Sequence, residues 1–63
     1  MANMRLKCAR LQAGLTQLQL AEKVGAKERH VSLWETDRST PDPETKQRVA
    51  AALQRPSFEL FDR

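Results

Sequence analysis

One cysteine, Cys8, and one histidine, His30, are all that 63 residues offer as thiol and imidazole ligands. No internal disulfide can close, and no tetrahedral zinc site can be assembled from these two side chains. A reducing compartment is therefore expected. No apolar run approaches the roughly 20 residues that a membrane span needs, and the N-terminal residues lack the apolar core of a signal peptide. The location that follows is cytoplasmic, without membrane contact. Tyrosine is absent, aromatic residues make up 5% of the chain, and no two-residue alternation of apolar and polar side chains is sustained, so a β-sheet has little to form from. A nucleophile paired with a base, a metal-ligand cluster and a phosphate-cradling loop are missing too. Enzymatic chemistry, a metal and a cofactor are not expected.

What is present is a small and moderately basic chain. A domain of this size buries only about 60% of its unfolded surface, which supports one core over residues 1–63 and not two. The 40% apolar and 30% charged content fits a compact fold rather than disorder. The net charge of +3 is unevenly placed, with Arg5, Lys7, Arg10, Lys23, Lys27 and Arg29 set against only Glu22 and Glu28 in residues 1–34. Such a half can be a face for a polyanion or an ordinary solvated surface.

The spacing predicts an all-α chain of five short helices. Leu6, Ala9 and Ala13 recur at three and four, giving a first helix from about Asn3 to Ala13 with Gly14 at its left-handed end and Cys8 outward. Thr16-Gln17-Leu18-Gln19 forms a capping box, and Leu15 can staple onto Leu20 at N4. Leu20, Ala21 and Val24 line the second helix, and Gly25 turns the chain at low steric cost. Ala26 and Lys27 lead into a third helix ending near Glu35. Asp42-Pro43 reads as an N-cap followed by proline at N1, with Glu44 in the first turn and Val49, Ala50 and Leu53 inward to about Leu53. Lys46 falls on that inner side, where its stem can cover apolar surface. Pro56 then starts a last helix carrying Phe58, Leu60 and Phe61.

Within GAKERHVSLWE, residues 25–35, one side holds Ala26, Val31 and Trp34, while the other sets Leu33 among Glu28, Arg29 and Ser32. Two helices of about eight residues joined by a glycine turn are what a helix-turn-helix requires, spanning about residues 16–36 here. Many small helical domains contain such a corner for packing alone. The residue types add to this. Arg10, Gly14-Leu15-Thr16-Gln17, Leu20-Ala21, Val24-Gly25, Val31-Ser32, Trp34-Glu35, Pro41, and Val49-Ala50 with Leu53 resemble the Cro and phage-repressor helix-turn-helix family over roughly residues 5 to 61. That resemblance implies a compact five-helix, lambda-repressor-like DNA-binding domain whose third helix lies in the major groove of double-stranded DNA.

Carried over position by position, the resemblance implies that Lys27, Glu28, Arg29, Ser32 and Leu33 face base edges and that Arg10 and Glu35 form a partly buried ion pair. The alternative for the pair is an exposed contact of about 0–1 kcal/mol. By their chemistry, Arg29 can donate twice to guanine, Leu33 can pack on a thymine methyl, and Glu28 can accept from cytosine or instead orient Lys27 or Arg29. Gln17 at N1, with Thr16 and Arg10 beside it, and the loop residues Thr36, Arg38, Ser39 and Thr40 are candidates for gripping phosphates. His30 is read as an exposed helix residue or as a pH-dependent phosphate contact.

A single unit covers few base pairs, so a homodimer on two half-sites is implied. Arg55, Pro56, Ser57, Phe58 and Phe61 correspond to the family's dimer contact region, unless Phe58 and Phe61 fold onto their own core. Nothing in the 63 residues corresponds to the separate C-terminal domain of larger repressors. Leu18 is apolar where the family is usually polar, Asp37 and Gln54 stand where glycine is frequent, and Lys46 replaces an apolar residue. The expected function is a transcriptional regulator, a repressor of phage or bacterial type, binding an operator. Its rival is a protein-interaction module, antitoxin-like or contacting RNA polymerase, with Leu18, Phe58 and Phe61 as the binding surface.

Overall fold

The computed structural model describes residues 3–61, which form five helices: α1 Met4–Gln12, α2 Gln17–Val24, α3 Glu28–Glu35, α4 Pro43–Leu53 and α5 Ser57–Phe61. Each boundary has a local cause. Asn3 caps α1 through its side chain, and the helix closes at Ala13 before Gly14 takes a φ of +75°. The helix is thus one residue shorter at each end than its spacing predicts. Ala13, expected on the inner face, is exposed, because the chain turns away at the cap.

The Thr16 capping box closes in both directions, with Gln19 N–H donating to Thr16 Oγ1 at 3.0 Å and Thr16 N–H to Gln19 Oε1 at 2.9 Å. Two otherwise unpartnered first-turn amides are satisfied by this exchange. Gly25 ends α2 at a φ of +72°, a conformation that costs a side-chain-bearing residue about 1–2 kcal/mol. Asp42 caps α4 by accepting the Thr45 N–H at 2.9 Å, and Pro43 fills the first position. Pro56 stands just before α5 rather than inside it, its carbonyl accepting the Glu59 N–H at 3.0 Å.

α2 packs most extensively on α3, α1 on α5, and α4 against both α2 and α5. Leu6, Leu20, Val31, Val49 and Leu60 are fully buried where the helices converge, each contributing about 1.5–3 kcal/mol of apolar burial. Trp34 and Leu53 extend this core, and Leu15, Ala26, Ala52 and Phe61 close its edges. No helix among the described residues is long and apolar enough to cross a membrane.

Candidate nucleic-acid interface

α2 and α3 are bound to each other and to α1 by one carboxylate. Arg10 Nε donates to Glu35 Oε2 at 2.5 Å and Nη2 to Oε1 at 3.2 Å, while Gln17 Nε2 donates to the same Oε1 at 3.1 Å. Arg10 Nη1 continues to the Leu15 carbonyl at 2.8 Å. With Arg10 7% and Glu35 5% exposed, the pair is buried, and the bidentate geometry repays part of the desolvation. No buried side-chain nitrogen or oxygen among the described residues lacks a partner.

This arrangement corrects one expectation. Arg10 cannot meet a phosphate, since all three of its nitrogens are turned inward and committed to Glu35 and Leu15. Gln17 spends one amide hydrogen on Glu35 and keeps the other for an outside acceptor, together with the Gln17 and Leu18 backbone amides, since the Gln19 N–H is taken by Thr16. Thr16 is exposed, its oxygen accepting within the cap.

On α3, Val31, Trp34 and Glu35 are buried, whereas Lys27, Glu28 and Arg29 are exposed. Ser32 and Leu33 are half-buried rather than fully outward. Among the described residues no ion pair engages Glu28, Lys27 or Arg29. Glu28 therefore does not orient its basic neighbours in the free protein, and the cations remain available.

The start of α3 is held differently from that of α2. Lys27 occupies the cap position without a side-chain acceptor; the His30 N–H turns back to the Lys27 carbonyl at 2.9 Å, which leaves the Glu28 and Arg29 amides open to an anion. His30 Nδ1 accepts the Lys27 N–H at 3.3 Å, and its ring lies over Trp34 with centroids 6.4 Å apart and planes 17° from parallel. His30 does the work that glutamate or glutamine does in an ordinary capping box.

After α3 the chain curls back over its last turn. Arg38 and Ser39 N–H groups both reach the Leu33 carbonyl, at 2.9 and 3.4 Å, with Asp37 between them and α3 at a φ of +62°. Arg38, Ser39 and Thr40 are exposed on this loop. Thr36 is exposed too, but its hydroxyl donates to the Ser32 carbonyl at 2.9 Å and reaches the Leu33 carbonyl at 3.3 Å. A phosphate oxygen needs that hydrogen, so Thr36 would have to break its bond to serve as expected.

The C-terminal candidates separate. Phe58 is 61% exposed, whereas Phe61 is half-buried against the core with Lys46 Nζ 5.9 Å from its ring centre. Phe61 is accordingly a packing residue, shielded by a cation–π contact, and not a free anchor. Arg55 Nη2 donates to Gln12 Oε1 at 2.6 Å and Nη1 lies 3.9 Å from Glu59; Pro56 is exposed and Ser57 half-buried.

Two structural residues were not foreseen in these roles. Asn3 carried a legible signal, since asparagine is among the most favoured N-caps. His30 at N3 of α3 carried none, because imidazole is not part of the usual capping pattern. The helix-turn-helix family model matches residues 6–60 of the chain, from the first buried residue of α1 to the last of α5. A search of curated proteins finds no match.

Proposed function

The chain belongs to the helix-turn-helix family of Cro and phage-repressor type, whose members are DNA-binding regulators by kind, and from that premise we propose a sequence-specific repressor that acts as a homodimer on an operator. The observation that carries this reading is the exposed, unpaired basic start of α3. Lys27 and Arg29 are free of ion pairs among the described residues, and the buried partners Val31, Trp34 and Glu35 fix the helix behind them. Lys27, Glu28, Arg29, Ser32 and Leu33 read base edges. Gln17, Thr16, Arg38, Ser39 and Thr40 position the domain on phosphates. The Phe58 end of α5, with Arg55, Pro56 and Ser57, meets the second copy.

Selection of bound duplexes from a random library, at stated salt, tests this directly. A motif with two-fold symmetry and half-sites about 34–36 Å apart is expected, with affinity that falls steeply as salt rises. Absence of any enriched motif would end the reading, and an enriched single half-site would end its homodimer part.

A protein-interaction module is the second reading, favoured by a specific observation: Leu18 and Phe58 are 49% and 61% exposed on α2 and α5. RNA polymerase or an antitoxin's target would be partners of that kind. The two readings part on a pair of variants. Leu18→Ser leaves operator affinity at the wild-type level if DNA reading is the main function, whereas Arg29→Ala removes most of it.

A further inference from the structure

Three helix ends meet at one residue. Asn3 Oδ1 accepts the Leu6 N–H at 3.1 Å, Asn3 Nδ2 donates to the Leu60 carbonyl at 2.6 Å, and the Asn3 backbone N–H donates to the Glu35 carbonyl at 2.7 Å. The first bond caps the start of α1. The other two satisfy carbonyls in the last turns of α5 and α3, which no intrahelical donor can reach. Asparagine carries both an acceptor and a donor on one short stem. Aspartate would cap α1 as well, but has no hydrogen to give Leu60.

α5 depends on such attachments. Its five residues are far below the roughly 12–15 at which an isolated helix begins to persist in water. It is held by Leu60 in the core, by Phe61 beneath Lys46, by Arg55 on Gln12, and by Asn3. The Asn3 bond differs from the rest in its other end, because the same residue is tied to Glu35, whose carboxylate holds Arg10 and Gln17.

We infer that Asn3 is a positioning residue, fixing the seat of α5 against the end of α3 and thereby the spacing between the Phe58 surface and the base-reading surface. Its action on α5 is independent of how the chain pairs. Its consequence for DNA binding rests on the homodimer reading above.

Amide hydrogen exchange on the wild-type chain, Asn3→Asp and Asn3→Ser separates the cap from the tether, since both variants retain a capping oxygen and the backbone N–H. Loss of one net hydrogen bond corresponds to roughly two- to tenfold more frequent opening. The hydrogen-bonded amides of Glu59, Leu60 and Phe61 are expected to exchange faster by that factor while those of Val31 and Val49 stay as in the wild type. Wild-type rates in α5 for both variants would overturn the inference, as would equal acceleration in all five helices. On DNA, both variants bind a duplex with one half-site as the wild type does and lose severalfold on a duplex with two. Equal losses on both duplexes would place the defect in α3 itself and reject the positioning role. A wild-type chain that gains nothing from the second half-site would reject the homodimer, and the exchange result would still decide Asn3.

Discussion

Glu35 accepts three hydrogen bonds, two from Arg10 and one from Gln17, so its removal does more than delete a contact. Glu35→Ala leaves the Arg10 guanidinium buried without a counter-charge, a situation that costs about 3–5 kcal/mol. Urea denaturation of the variant is expected to show a loss of that size, several times that of an exposed alanine substitution; a loss under about 1 kcal/mol would mean that Arg10 finds water. Gln54 gives the opposite case. It sits at a φ of +55° after α4, in the left-handed region that disfavours a residue with a Cβ. Gln54→Gly relieves that strain while gaining entropy in the unfolded chain, for a net stabilisation of about 0.5–1 kcal/mol, measurable as a shift in the urea midpoint at constant m-value. The Arg10–Glu35 pairing was legible through the family pattern alone, since nothing in a single helix's periodicity says that position 10 faces position 35. That Arg10 thereby leaves the phosphate-binding set follows only from seeing all three of its nitrogens committed.

At the scale of elements, the five helices were legible because each carries its own punctuation. Asp42-Pro43, Thr16 with Gln19, and the two glycines act within a few residues, so their signals survive without tertiary context. The separation of Phe58 from Phe61 was not legible, because a five-residue helix has no reliable periodicity and its contacts with Lys46 and Asn3 come from elsewhere in the chain. The α4 cap makes a prediction about acid. Hydrogen bonds from Thr45, side chain and backbone, hold the Asp42 carboxyl below the ordinary carboxylate value. A lowered folded-state pKa means that the stability it contributes is complete above the unfolded value and is lost as pH falls through the folded one. Asp42→Asn keeps a capping oxygen that does not titrate. Thermal melts should show the wild type's stability advantage over this variant shrinking on the acid side, and a pH-independent difference would refute the assignment. The reading helix makes another. Arg29→Ala is expected to weaken the preferred site by about 1–3 kcal/mol and relax preference at one base position, whereas Gln17→Ala weakens all sequences alike. Selections on a randomised site library compare the two, and identical effects on preference would remove the division between base reading and phosphate gripping.

For the whole molecule, dimensions set the terms of recognition. The Cα framework measures 24 × 22 × 21 Å, less than the roughly 34–36 Å between half-sites one DNA turn apart. On the proposed two-half-site operator one copy therefore cannot reach both half-sites, and the second copy of the proposed homodimer would cover the other. Salt dependence counts those copies. Each phosphate neutralised by a lysine or arginine contributes about 0.9 to the slope of log affinity against log salt. Arg38 lies exposed on the loop after α3, with no ion pair among the described residues, and its replacement removes one such cation per copy without touching the core. Arg38→Ala should therefore lower the magnitude of the slope by about 2 on a two-half-site duplex and by about 1 on a single half-site. Titrations at a series of salt concentrations measure both. An unchanged slope on both duplexes would show that Arg38 meets no phosphate. A change of about 1 on both would show that a single copy binds, and the symmetric operator would then have to be abandoned along with the homodimer.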